Sequence, residues 1–198
     1  MISFKSNFFT AVEVLSNFFL LNLLWLFMCL PIVTIFPATA AMFGVVREWI
    51  LKKDTGIYQT FFRCFKENFR QSFLLGLIWI IFLGLLYMNF ITITQLDSTG
   101  KMILIPMVVL VGILLLLVSV FIFPVMVHFQ LHWNMILKNS LILSMSHLPA
   151  AFLAILILIL MGAMFIWLPA TLLFLFSVGT YCIFFICNQV FQKITLNR

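Results

Sequence analysis

Residues Asn22 to Ala41 read NLLWLFMCLPIVTIFPATAA, an apolar run interrupted by an amide at Asn22, prolines at Pro31 and Pro37, and threonines at Thr34 and Thr39. The run lies within a longer apolar stretch from Val14 to Phe36. That is enough for one tilted crossing, because a bilayer core about 30 Å thick needs roughly 20 apolar residues in helix. If the stretch were a hairpin, the returning leg from Pro37 to Val46 would supply only about 15 Å of helix at 1.5 Å per residue. A single crossing over residues 14–36 is therefore expected. Pro37 suits the first turn of a second helix, where its missing N–H is not needed. Along that helix Ala38, Met42, Val45 and Trp49 recur at helical spacing, and Arg47, Glu48, Lys52 and Lys53 make its end polar, so it is expected to leave the membrane. Ala38-Thr39-Ala40 resembles a signal-peptidase site, but the preceding run is longer than an h-region of about 7 to 15 residues, and the stretch is read as a retained span.

The rest of the chain has the same character. Of 198 residues, 65% are hydrophobic and 8% charged, and the mean hydropathy is +1.27. A globular protein carries about a quarter charged residues, so this chain takes lipid as its solvent. The expected fold is all-α, a polytopic transmembrane bundle of about five spans with amphipathic interfacial helices. The spans are placed at residues 14–36, 72–90, 102–127, 149–167 and 171–190, with a basic segment at 47–71. Within that segment Tyr58, Phe61, Phe62, Phe65 and Phe69 follow helical spacing among Arg63, Lys66, Glu67 and Arg70. The pattern fits a helix on the membrane surface or one packing its phenylalanines under the bundle. Ser146 is a candidate N-cap for the span that Pro149 opens.

Five spans put residues 47–71, 128–148 and the C-terminal tail on one side with nine Lys and Arg, leaving Lys5 and Lys101 on the other. The bias places the C-terminus in the cytoplasm and the N-terminus outside. The net charge of +6 is accounted for by this asymmetry, and nucleic acid is not an expected partner. A weak internal repeat relates Phe36-Pro37, Phe43 and Trp49 to Phe123-Pro124, Phe129 and Trp133.

Candidate functional residues are few. Asn22 lies mid-span, where an unpaired amide is expensive, and it is read either as a packing amide or as part of a polar path with Asn17 and Glu13. Pro31 and Pro37 free the carbonyls of Phe27 and Val33 beside Thr34 and Thr39. Such breaks build substrate sites in transporters and also occur as kinks capped by threonine hydroxyls. His128 and His132, four apart, fall on one helical face and with His147 suggest a metal only weakly. None of the carboxylates Glu13, Glu48, Asp54, Glu67 and Asp97 falls at mid-membrane or beside a nucleophile motif, and no phosphate loop or hydrolase signature is present. No enzyme activity and no cofactor are expected. A buried ionisable residue, usual in an ion-driven transporter, is not expected either.

Leu21-Asn22-Leu23-Leu24-Trp25, Leu30-Pro31-Ile32-Val33-Thr34 and Pro37-Ala38-Thr39-Ala40-Ala41, followed by Phe65-Lys66-Glu67-Asn68-Phe69, Phe123-Pro124, Leu137-Lys138-Asn139-Ser140 and His147-Leu148-Pro149, resemble the YesL family of bacterial integral membrane proteins. It is a domain family of unknown function. Its members usually carry glycine where this chain has Phe36, a difference that would stiffen the chain before Pro37. The resemblance implies an accessory to carbohydrate uptake or its regulation, with a sugar transport system or another membrane protein as partner. It supplies no catalytic or binding residues.

Overall fold

The computed structural model describes the backbone of residues 2–51, 53, 56–95, 98–168, 171 and 173–196, and the side chains of residues 12–51, 53, 56–93, 95, 100–102, 104–168, 171 and 173–193. Every regular element described is helical: α1 (Ile2–Met28), a single 3-10 turn (Ile32–Thr34), α2 (Ile35–Ile50), α3 (Ile57–Thr94), α4 (Ser98–Phe129), α5 (Trp133–Ser146), α6 (Leu148–Trp167) and α7 (Leu175–Leu196). Five helical stretches are long and apolar enough to cross a membrane: Ile32–Ile50, Ile57–Ile93, Gly100–Phe129, Leu148–Trp167 and Leu175–Lys193. Number and class of spans match the sequence, but the first of them is not residues 14–36.

That stretch is split. α1 ends at Met28, Pro31 is extended at φ −78° and ψ 120°, and the chain reverses into α2. The indole of Trp25 donates to Thr39 Oγ1 at 3.2 Å, and the Phe18 and Trp49 rings meet edge to face at 5.2 Å. Moving back along α1 thus means moving forward along α2, so the two form an antiparallel hairpin. The start of α1 points to the end of the bundle where α2 finishes. The expected single crossing failed on the length of the return leg. Arg47 and Glu48 do not leave the protein as free polar residues but lie inside α2, which continues to Ile50, a leg of 16 residues, or about 24 Å.

α2 is the hub. Pro37, Ala38, Ala40 to Val46 and Glu48 are all buried, because small side chains let three helices approach closely. At Gly44 an added Cβ would lie 2.6 Å from Cys64 Sγ and 2.9 Å from Cys64 Cβ on α3. At Gly76 of α3 it would meet the Phe36 ring at 2.7 Å, so Phe36 lies flat on a glycine and also packs on Phe123 at 5.8 Å. Phe43 stacks on the same Phe123 at 5.7 Å and 6°, which sets α4 alongside α2. Thr180 Oγ1 contacts Met42 Sδ at 3.2 Å, bringing α7 in. Phe36 meets Phe123 and Gly44 meets Val127, while Phe18 meets Tyr181 and Trp25 meets Phe176, so α2, α4 and α7 run one way and α1 and α3 the other. The Phe36 and Phe123 motifs of the weak repeat fall on neighbouring parallel helices.

At one end of this bundle lie the end of α2, the start of α3, the end of α4, α5 and the end of α7. Arg47, Lys53, Arg63, Lys66, Arg70, Lys138 and Lys193 all belong to it, whereas Lys101 belongs to the other end. The basic segment is not a separate surface helix: α3 continues without a break for 38 residues, about 57 Å, from the polar start into the apolar span. Its phenylalanines form a ladder inside the protein, Phe61 to Phe65 at 6.4 Å and Phe65 to Phe69 at 5.5 Å, with Phe61 fully buried and Tyr58 and Phe62 exposed. α5 is too short to cross and exposes Met135, Leu141, Ile142 and Met145 while burying Ile136 and Leu143, the pattern of an interfacial helix. α6 is capped at His147 rather than Ser146, without a side-chain bond. The fifth span starts at Leu175, and ahead of it Thr171 Oγ1 donates to the Leu168 carbonyl at 2.6 Å.

Candidate functional site: two cavities flanking α2

Consecutive residues of α2, Phe43 and Gly44, line two different cavities. The first, about 390 Å³, sits behind the helix break between α1, α2, α4, α6 and α7. Trp25, Phe43, Phe123 and Phe176 wall it, and its hydroxyls come from Thr39, Ser119 and Thr180. Thr39 and Ser119 are spoken for: each donates back to its own helix, to the Ile35 and Leu115 carbonyls, both at 2.7 Å. Trp25 and Phe176 stack at 4.5 Å. The cavity is apolar, with no charge on its wall.

The second cavity, about 440 Å³, opens at the basic end between the last turn of α2, the first turns of α3 and the end of α4. Arg47, Lys53, Arg63, Glu48, Glu67 and His128 line it, with Asn68 and Gln130 beside them. Glu48 is 6% exposed, paired with the Arg63 guanidinium and accepting from Thr60 Oγ1 at 3.2 Å. The expectation that no carboxylate is buried is thereby corrected. The sequence put Glu48 at a membrane exit, and only the crossing of α2 over α3 supplies Arg63 and Thr60, without which the charge could not be buried. Arg47 Nε and His128 Nδ1 are buried and have no hydrogen-bond partner among the described residues. α4 ends at Phe129 and the backbone turns at Gln130, a non-glycine residue with φ +49°, while Gln71 donates to the Leu131 carbonyl and holds the turn against α3.

The sequence-derived candidates separate accordingly. Asn22 is fully buried on α1, Asn17 is half-buried and Glu13 is exposed. Thr34 Oγ1 lies within reach of both the Met28 and Pro31 carbonyls and, having one proton, caps one at a time. Pro31, Thr34 and Pro37 therefore act as a capped reversal. Thr39 alone of that group reaches a cavity wall. His128 and His132 do not share a face: His128 closes α4 and His132 is the N-cap of α5. Among the described residues no cluster of three metal-ligating side chains occurs. His128 instead stacks on Phe191 at 4.7 Å and faces the polar cavity. Sequence reading missed the set Arg47, Glu48, Arg63 and His128. The only available signal was Arg47-Glu48 recurring with Thr60 and Arg63 across a two-helix turn.

The family described as "Protein of unknown function, DUF624" matches residues 18–90, from the face of α1 bearing Asn22 to the upper part of α3. Three proteins of Bacillus subtilis (strain 168) are similar. Uncharacterized protein YesL is 33% identical over 130 residues, 64% of this chain and 61% of the relative. Uncharacterized protein YteU is 30% identical over 188 residues, 92% of this chain and 84% of the relative. Uncharacterized protein YesV is 29% identical over 126 residues, 62% and 61% respectively. The matched stretch thus spans under two thirds of YesL and of YesV. No solved structure matches the chain. With five apolar helices of crossing length and a relative matched along most of both chains, this protein is a multi-pass membrane protein and belongs to the YesL-like DUF624 family.

Proposed function

We propose that the protein is a non-enzymatic accessory of the bacterial cytoplasmic membrane that works by docking a partner at its basic end. The observation that carries the reading is the surface there. α3 exposes Tyr58 and Phe62 beside Arg63, Lys66 and Arg70, and α5 exposes Met135, Leu141, Ile142 and Met145 beside Lys138. Aromatic and methionine side chains next to arginine make up the composition enriched at protein interfaces. The partner is a membrane protein of a solute-uptake system. A carbohydrate transporter is the first candidate, on the strength of the family resemblance alone. Replacing Phe62 or Met145 with a photo-crosslinking amino acid in native membranes is expected to give a discrete adduct with one other membrane protein. Monomer alone under both crosslinkers, together with sugar uptake by the purified protein in vesicles, would overturn the accessory reading.

A second reading rests on the apolar cavity behind the break. There Trp25, Phe176 and three hydroxyl-bearing side chains form a pocket of the size small molecules occupy, as a small permease would need. Under that reading Thr39→Val and Trp25→Ala abolish uptake without loss of protein, and unchanged uptake excludes it.

A further inference from the structure

We infer that the polar cavity at the basic end binds a phosphate group, carried either by an inner-leaflet phospholipid or by a soluble phosphate ester. This stands apart from the docking reading, since it concerns the interior between α2, α3 and α4 rather than the exposed faces of α3 and α5. The balance of charge on the wall favours an anion: Arg47, Lys53 and Arg63 against Glu48 and Glu67. Glu48 is already engaged by Arg63 and Thr60, which leaves Arg47 and Lys53 against Glu67, one positive charge in excess.

Two buried side-chain nitrogens lack a partner. Arg47 Nε and His128 Nδ1 both lie on residues lining this cavity and have no hydrogen-bond partner among the described residues. Burying a guanidinium nitrogen unpaired is costly, so a site with such a group is completed by a ligand rich in acceptors. A phosphate offers several oxygens at once, matches the fork of arginine and accepts from an imidazole N–H. A metal cation fits poorly, because no cluster of three ligating side chains is found among the described residues.

A volume of about 440 Å³ leaves room for phosphate with an attached glycerol or sugar. The position also suits this chemistry. His128 lies one residue before the end of α4 and Arg47 three before the end of α2, where apolar spans give way to the polar end, the depth of a lipid headgroup. Basic pockets between transmembrane helices on that side are known to hold lipid headgroups.

The test uses the purified full chain in two arms. In dodecyl maltoside, inorganic phosphate is titrated and the melting temperature followed. In nanodiscs, pure phosphatidylcholine is compared with phosphatidylcholine containing phosphatidylglycerol, with retained lipid counted by native mass spectrometry. Saturable stabilisation by phosphate in the first arm indicates a soluble ester. One retained phosphatidylglycerol in the second, without a phosphate response, indicates a headgroup. In the responding arm Arg47→Gln and His128→Gln are each expected to weaken binding at least tenfold, and Lys193→Gln, on α7 at the same end but outside the cavity, to leave it within twofold. If Arg47→Gln fails to fold, Arg47→Lys serves, keeping the charge while removing the Nε donor. No response in either arm overturns the inference. Equal loss in Lys193→Gln also overturns it, since general surface charge would then account for binding, and so does unchanged binding in the folded Arg47 and His128 variants.

Discussion

Gly44→Ala tests the hub directly. The new methyl would sit 2.6 Å from Cys64 Sγ and 2.9 Å from Cys64 Cβ, against 3.4–4 Å for an ordinary contact, so α2 and α3 must part by several tenths of an ångström or more. Neither helix slides freely. One turn on, Glu48 is tied to Arg63 and Thr60, and two turns back Phe36 rests on Gly76. Overpacking of this kind costs about 1–3 kcal/mol, while alanine's better helix propensity returns about 1 kcal/mol. The expected net is a loss of up to about 2 kcal/mol, with the sign set by packing. The assay is unfolding of the detergent-solubilised protein by denaturing detergent, followed by circular dichroism. Cys64→Ala removes the nearer atom, so Gly44→Ala in that background should lose less, with a coupling of at least about 0.5 kcal/mol. Gly84→Ala, where nothing lies within 4 Å of the added carbon, should be neutral or stabilising. A Gly44→Ala protein as stable as Gly84→Ala, or no coupling to Cys64, would refute the close approach of α2 and α3.

Further outcomes follow from the same geometry. Reporters at the two termini are expected on the same, cytoplasmic side of the membrane and a cysteine at Lys101 on the other, because α1, with the shorter apolar stretch Val12–Met28, runs back beside α2 and adds a sixth crossing to the five long ones; an external N-terminal reporter would restore the single-crossing topology. Arg63→Gln should destabilise more than the Glu48→Gln/Arg63→Gln pair, since only the single change leaves a buried carboxylate without its cation. With Arg63 49% exposed, the difference should fall below the 3–5 kcal/mol of a fully buried pair, about 1–2 kcal/mol, and equal losses would show that the pair is inert. Gly76→Val is expected to abolish stable protein, and Phe36→Gly in the same chain to recover it in part, as judged by monodisperse yield from gel filtration. Trp25→Phe should cost about 1 kcal/mol through the lost bond to Thr39, and an unchanged midpoint would place that contact outside the fold's stabilising set.

The all-α class, the five spans of crossing length and the gathering of basic residues were legible in the chain itself. Each depends on local composition: lipid demands internally satisfied backbone, and helix length follows from the bilayer. The reversal at Cys29 to Thr34 was signalled by Pro31 and by a threonine placed to cap it, but its direction was not. A proline break leads equally well to a kinked crossing or to a hairpin, and the choice between them falls to residues far along the chain. Glu48 finds Arg63 and Thr60 only when α2 lies antiparallel to α3, and with that partner the helix runs on to Ile50 as a full return leg. The same holds for the polar cavity. Arg47, Arg63 and His128 are ordinary helix-end residues in sequence, and they become one site because three helices end or begin at the same level. The separation of His128 from His132 is also tertiary, set by the left-handed backbone at Gln130 that ends α4 and starts α5. Sequence alone thus determined the solvent, the helices and their charged end, since these are sums over neighbouring residues. Only the packing of α2 among its neighbours decided which way the first hairpin runs and which buried groups face each other, since those depend on contacts between distant segments.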